Sequence, residues 1–248
     1  MRYLAPLPRR PGLGMWPTRV AGGAAAWTPA DETGVLTWLR GDTYTATSGR
    51  VSSWTDKSGS GHPATSTGAT GTRPLATTWA AGNGQPALYF DGARTLATAA
   101  NILPTGDGAG FTTFLVCAFA DLNFRCALLT NALGGGIALA QNAGAITEWK
   151  LGVAFSDDGP AVVTPLNLIS VDQVGATPGS VMYVNGATVA TTSPDGNIIT
   201  PSGKLYLGAS ATTNFFQGYI AEVLILSGRA SLGTIANWNA YSLARYGV

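Results

Sequence analysis

From residue 34 onward the chain is a succession of short apolar and β-branched runs, each bounded by Gly, Asn, Asp, Ser or Pro. This punctuation constrains the fold most, because turn chemistry at such spacing fits many short strands. The runs are 35–40 (VLTWLR), 51–54 (VSSW), 86–90 (PALYF), 111–119 (FTTFLVCAF), 124–130 (FRCALLT) and 137–140 (IALA). They continue at 149–155 (WKLGVAF), 166–171 (LNLISV), 180–184 (SVMYV), 187–192 (ATVATT), 204–208 (KLYLG) and 218–226 (GYIAEVLIL). Strands of this length and spacing predict an all-β sandwich or jelly roll. Charged residues make up 11% of the chain, against a usual figure of about 25%. With 33 Gly, this favours a loop-rich domain with small surface side chains.

Two hairpins can be placed. Asn185-Gly186 joins VMYV to ATVAT, and both central residues tolerate the positive φ of a tight hairpin turn. A loop over 120–123 would join 111–119 to 124–130, setting Phe119 opposite Phe124 and Cys117 opposite Cys126. Two buried reduced thiols are the reading for a chain assembled in a cytoplasm, with a disulfide as the alternative. One helix is predicted at the C-terminus. Ser231 caps it, and Leu232, Ile235, Ala236, Leu243 and Tyr246 form its apolar stripe. Arg245 suits the negative end, and Gly247 sits where the helix stops.

Residues 1–30 stand apart from the domain at 31–248. They carry five prolines and four arginines, with apolar residues in neither helical nor strand period. Such a segment cannot bury enough surface by itself and is expected to be an extended arm. Tyr3, Leu4, Leu7, Leu13, Met15 and Trp16, with Arg9 and Arg10, are its candidate anchors on a partner chain. An arm folded back on its own domain is the alternative. Its positive start lacks an apolar stretch behind it, so synthesis and assembly in a cytoplasm are expected. No apolar run approaches the roughly 18 residues of a membrane span. The 14 basic and 13 acidic residues balance, so no broad field draws nucleic acid.

The polar stretch SSWTDKSGSGHPAT at 52–65 holds Asp56, Ser58, Ser60 and the single histidine, His62. A nucleophilic triad needs residues converging from separate elements, and these share one loop. A turn explains them better: Asp56 and Ser58 bonding backbone N–H groups, Gly59 and Gly61 taking positive φ, Trp54 closing a strand into the core. His62 is expected to be exposed. Two roles stay open for Asp56, the turn alone or the turn together with a calcium ion. Glycoside hydrolysis uses paired carboxylates, whereas Glu32, Glu148 and Glu222 are scattered and Asp157-Asp158 lies in a turn-like SDDGP. GDGAG at 106–110 and GGG at 134–136 are loop glycines. An enzyme is not expected, and no cofactor is implied beyond that calcium. Sugar binding needs exposed aromatic platforms, for which Trp79, Trp149 and Phe215 are the candidates.

Five segments, in order, resemble laminin-G-like, concanavalin A-type jelly-roll domains of bacterial and phage proteins. TWLRGDTYTATSGRVSSWTDKSGSGHPAT is similar to their opening, through Trp38, Leu39, Asp42, Val51, Trp54, Asp56, Ser58, Gly59, Gly61 and Ala64. GQPALYFDGARTLAT, VMYVNGATV, LYLGAS and FFQGYIAEVLILSGRAS…YSLARYGV are similar to later segments. The resemblance implies two packed antiparallel sheets. It also suggests a virion setting, since some such domains occur in virions.

The expectation is therefore a non-enzymatic structural protein on a virion surface, a capsid decoration or head-fibre protein of a tailed bacteriophage. Its arm would hold capsid or tail proteins, and it would act as a homo-oligomer within the assembly. The alternative is a carbohydrate-binding module acting as a host-surface adhesin. A third reading is an interaction module in a bacterial surface complex.

Overall fold

The structure is a computed structural model describing residues 26–66, 68–99, 101–102, 110–120, 126–131, 136–142, 145–151, 154–156, 166–173, 181–191, 204–209 and 215–248. β1 (Val35–Thr47), β2 (Arg50–Asp56), β3 (Ala64–Thr65), β4 (Leu75–Trp79), β5 (Gln85–Asp91) and β6 (Leu96–Thr98) come first. β7 (Gly110–Phe119), β8 (Cys126–Asn131), β9 (Gly136–Asn142), β10 (Ala145–Leu151) and β11 (Ala154–Ser156) follow. β12 (Leu166–Gln173), β13 (Val181–Val184), β14 (Ala187–Thr191), β15 (Leu205–Leu207) and β16 (Gln217–Ser227) lead to helix α1 (Leu232–Tyr246).

The described strand pairs are antiparallel and form two layers. The back layer runs β14-β13-β12-β7-β16-β5-β4, and the front layer runs β11-β10-β9-β8-β15-β6-β3-β2. β1 belongs to both. Its start pairs with β16, and its end, from Tyr44, pairs with β2. The crossing lies at Gly41, where a Cβ would stand 2.1 Å from the Pro86 carbonyl oxygen, so no larger residue fits. Leu39, Trp54, Leu96, Leu205 and Leu207 meet Leu115, Leu168, Met182 and Val223 in the core between the sheets.

A third layer, α1, packs on the outer face of the back sheet. Ile235, Trp238 and Tyr246 meet Phe114, Val116, Ile169 and Leu224 there. This explains why β7 is buried throughout, its Thr112 and Thr113 included. Leu115, Cys117 and Phe119 face the inter-sheet core, while Phe114, Val116 and Ala118 face the helix side. A strand buried on both faces loses the alternation of a half-buried one.

The expected 111–119/124–130 hairpin does not form. Both edges of β7 are taken, by β12 and β16, so Cys117 lies opposite Leu166 and Ile220. Cys126, in β8, lies opposite Leu139. The two cysteines are not cross-strand neighbours. The Asn185-Gly186 hairpin forms as expected, with φ of 48° and 81° at the turn. The run at 149–155 belongs to two strands, β10 and β11, which pair with each other.

Helix α1 has the expected ends. The Ser231 side chain accepts a hydrogen bond from the Thr234 N–H, and Gly247 is left-handed at φ 77°. Its buried face differs from the expected stripe. Leu232 and Leu243 are 78% and 63% exposed and Ala236 is exposed, whereas Thr234, Ile235, Trp238, Ser242 and Tyr246 are buried. Polar residues can turn inward because a partner waits there. Asn167 of β12, itself buried, donates to Ser242 Oγ at 2.9 Å and to Asn239 Oδ1 at 2.8 Å, and accepts from Trp238 Nε1 at 2.6 Å.

Candidate functional site

Asp56 serves the turn. Its Oδ1 accepts from the Trp38 N–H (2.9 Å), the Ser58 N–H (2.9 Å) and Ser58 Oγ (2.7 Å), and its Oδ2 accepts from the His62 N–H (2.9 Å). Burial by itself would raise this carboxyl, but the donors from Trp38, His62 and Ser58 outweigh it and hold Asp56 below the usual range. Gly59 and Gly61 take φ of 82° and 76°. His62 departs from expectation. It is half-buried, its Nδ1 lies 2.8 Å from the Leu36 carbonyl oxygen, and its own carbonyl accepts from Thr37 Oγ1. The loop lies against β1, which gives the imidazole a partner that a solvent-facing turn would lack. Among the described residues, no three His, Cys, Asp or Glu side chains group as metal ligands.

Beneath α1 lies a second polar cluster. The bulge in β16 between Ile220 and Glu222 shifts the strand's phase, setting Glu222 opposite Val116 on the helix side. The Glu222 carboxylate is fully buried and accepts from Trp38 Nε1 (2.5 Å), Tyr241 OH (3.0 Å) and Tyr246 OH (2.6 Å). Burial raises its pKa against the pull of these donors. The cluster ties helix to sheet, from Trp38 of β1 and Glu222 of β16 to Tyr241 and Tyr246 of α1.

Among the described residues, an open concavity lies over the front sheet. Ser53 pairs with Thr65, Thr65 with Ala97, and Ala97 with Tyr206, so one cross-strand row runs over β2, β3, β6 and β15. Along these strands Ala64, Leu96, Leu205 and Leu207 point into the core. The intervening Thr65, Ala97 and Tyr206 therefore face outward as the floor of a groove of about 630 Å³. Ser66, Thr72, Thr95, Lys204 and Phe215 also line it. The rim is fixed by local bonds: Thr72 Oγ1 donates to the Ala69 carbonyl, Thr95 Oγ1 to Leu207, and the Arg73 guanidinium to Gly68. Thr65 Oγ1 donates to the Ala97 carbonyl, leaving its oxygen as an acceptor facing the groove.

The sequence-chosen aromatics divide here. Phe215 is half-buried and lines the groove. Trp79 is not a platform: at 3% exposure it stacks 6.1 Å from Tyr219 under the helix layer. β4 turns that face toward α1, so the ring is consumed by packing. Trp149 lies in β10, with its side chain outside the described residues. Tyr206 was missed, although the alternation in Leu205-Tyr206-Leu207 already sets it on the face opposite two core leucines. The arm anchors Tyr3, Leu4, Leu7, Arg9, Arg10, Leu13, Met15 and Trp16 lie outside the described residues, as do Asp157-Asp158. From the last part of the arm, Trp27 packs edge-on against Tyr241 at 5.9 Å and donates to Glu32, so the chain joins the domain on the helix side.

No protein-family model and no curated protein matches the chain. Solved structures do. Domain 4 of a GH43 extracellular arabinanase from Geobacillus stearothermophilus, in complex with arabinotriose, is similar at TM-score 0.56 and 15% identity, over 82% of this chain and 97% of that one. An arabinofuranosidase complexed with arabinofuranosyl-α-1,2-xylobiose is similar at TM-score 0.58 and 17% identity, over 88% of this chain and 60% of that one. The receptor-binding domain of botulinum neurotoxin D is similar at TM-score 0.56 and 13% identity, over 88% of this chain and 55% of that one. The chain thus spans less than two thirds of the latter two. At these identities the likeness is one of fold: an antiparallel jelly-roll β-sandwich, here with a helix against its back sheet.

Proposed function

We propose that the chain is a carbohydrate-binding module whose ligand lies in the front-sheet groove. The observation that carries this reading is the groove's surface: Tyr206 and Phe215 beside a row of hydroxyls. Sugars present apolar C–H faces and polar rims, and pockets with aromatic walls and a few placed polar groups suit them. The similarity to a domain solved with arabinotriose supports the reading. The layout supports it too. Trp27 packs on the helix side and the Val248 carbonyl accepts from Ser242 Oγ there, so both of these described residues lie away from the groove. Anchoring on a virion through the arm at residues 1–30 is a separate proposal.

The test is a glycan array followed by titration calorimetry on hits, comparing the full chain with Tyr206→Ala and Phe215→Ala. Both outward aromatics should be dispensable for folding, and each change should weaken binding about tenfold or more, the scale of one lost aromatic contact. Glycan binding that neither change alters would refute the groove as the site.

A further inference from the structure

The groove carries a charge that its hydroxyls and aromatics do not require. Among its described lining residues, Lys204 is the charged one, and no carboxylate lines the groove with it. Lys204 is exposed and sits at the residue before β15, one position from the inward Leu205 and two from Tyr206. Lysine is scarce here, with three in the whole chain. Arg73 donates to the carbonyl of Gly68, a lining residue, and so covers one rim oxygen that would otherwise face an anion. The Asp91 carboxylate is engaged by Arg94 at 2.7 Å.

We infer that the groove selects an acidic saccharide, one whose ring carries a carboxylate. This rests on the carbohydrate-binding reading above and names its ligand class. The ring stacks on Tyr206 and Phe215, its hydroxyls donate to oxygens such as Thr65 Oγ1, and its carboxylate meets the Lys204 ammonium. A charge-assisted contact of this kind adds orientation as well as affinity, because a neutral ring leaves the ammonium with water alone. Since Lys204 is exposed, its contribution is modest and falls as salt screens it.

The experiment titrates the full chain with an oligogalacturonide, a sialylated trisaccharide, a sulfated oligosaccharide and the neutral counterpart of each, at low and high salt. Carboxylated ligands should bind about fivefold more tightly than their neutral counterparts at low salt, the scale of one exposed ion pair. Lys204→Met, which keeps the apolar stem, should remove that margin and its salt dependence. The uronate and sialylated ligands separate the two carboxylate sources. Preference for the sulfated ligand alone would overturn carboxylate selection in favour of a sulfate site. Equal binding of acidic and neutral ligands, lost on Tyr206→Ala, would overturn the acidic class and leave the groove standing. Binding of none would sink both readings.

Discussion

Glu222 offers the sharpest test of how this domain is held together. Changing it to alanine leaves Trp38 Nε1, Tyr241 OH and Tyr246 OH as three buried donors around a void. A stranded buried donor costs about 1–3 kcal/mol, and breaking a buried charged network from one side costs about 3–5 kcal/mol. Removing the carboxylate also relieves its own desolvation, so the expectation for Glu222→Ala is about 3 kcal/mol, the low end of that range. Domain stabilities run to about 5–15 kcal/mol, so the loss should show as a clear drop in urea midpoint with an unchanged slope. Glu222→Gln keeps the shape but points an amide donor at a hydroxyl that must turn to accept it, at about 1 kcal/mol. The pH dependence has a definite sign. Burial holds the Glu222 carboxyl above its ordinary value, so the folded chain keeps this proton to higher pH than the unfolded one. The associated stabilisation is complete below about pH 4 and fades as pH rises through the folded value. The stability of the natural chain minus that of Glu222→Gln should therefore fall as pH rises. A flat or rising difference, or a Glu222→Ala variant as stable as the natural chain, would refute the assignment.

Two further outcomes follow from the same geometry. Asp56→Ala removes acceptors for the Trp38, Ser58 and His62 N–H groups and should cost about 2–3 kcal/mol in chemical unfolding. Its lowered pKa means that its stabilisation is present above the unfolded aspartate value and is lost as pH falls through the folded one. Because four donors already occupy its oxygens, millimolar calcium should leave the Tm unchanged; a calcium-dependent rise would restore the metal role. On α1, Trp238→Ala should cost about 3–5 kcal/mol, while Leu243→Ala should stay within about 0.5 kcal/mol. The reverse order in thermal melts would mean that the helix packs by its most apolar stripe after all.

Much of this fold is legible in the chain. Asn185-Gly186, the Ser231 cap and Gly247 act through local backbone geometry, so their sequence signals carry directly into structure. Glycines 59 and 61, with Asp56, fix their turn in the same way. The groove floor is harder to read. β3 and β6 are two and three residues of Ala, Thr and Leu, too short for any period, and they are strands because β2 and β15 offer them edges. Tyr206 and Lys204 become neighbours of Thr65 and Thr72 only once those short strands join the sheet.

What the sequence determined by itself, then, is the local punctuation: where the hairpin turns, where the helix starts and where it stops. These depend on φ, ψ and caps within a few residues. Which face of a strand or helix is buried was decided by tertiary structure. Trp79 was drawn beneath the helix layer, Leu243 was left in water, and Ser242 was buried because Asn167 was there to bond it. The same physics placed the groove. A row of outward residues becomes a site only when strands distant in sequence set them side by side, and the register that does so is fixed by the leucines packed beneath.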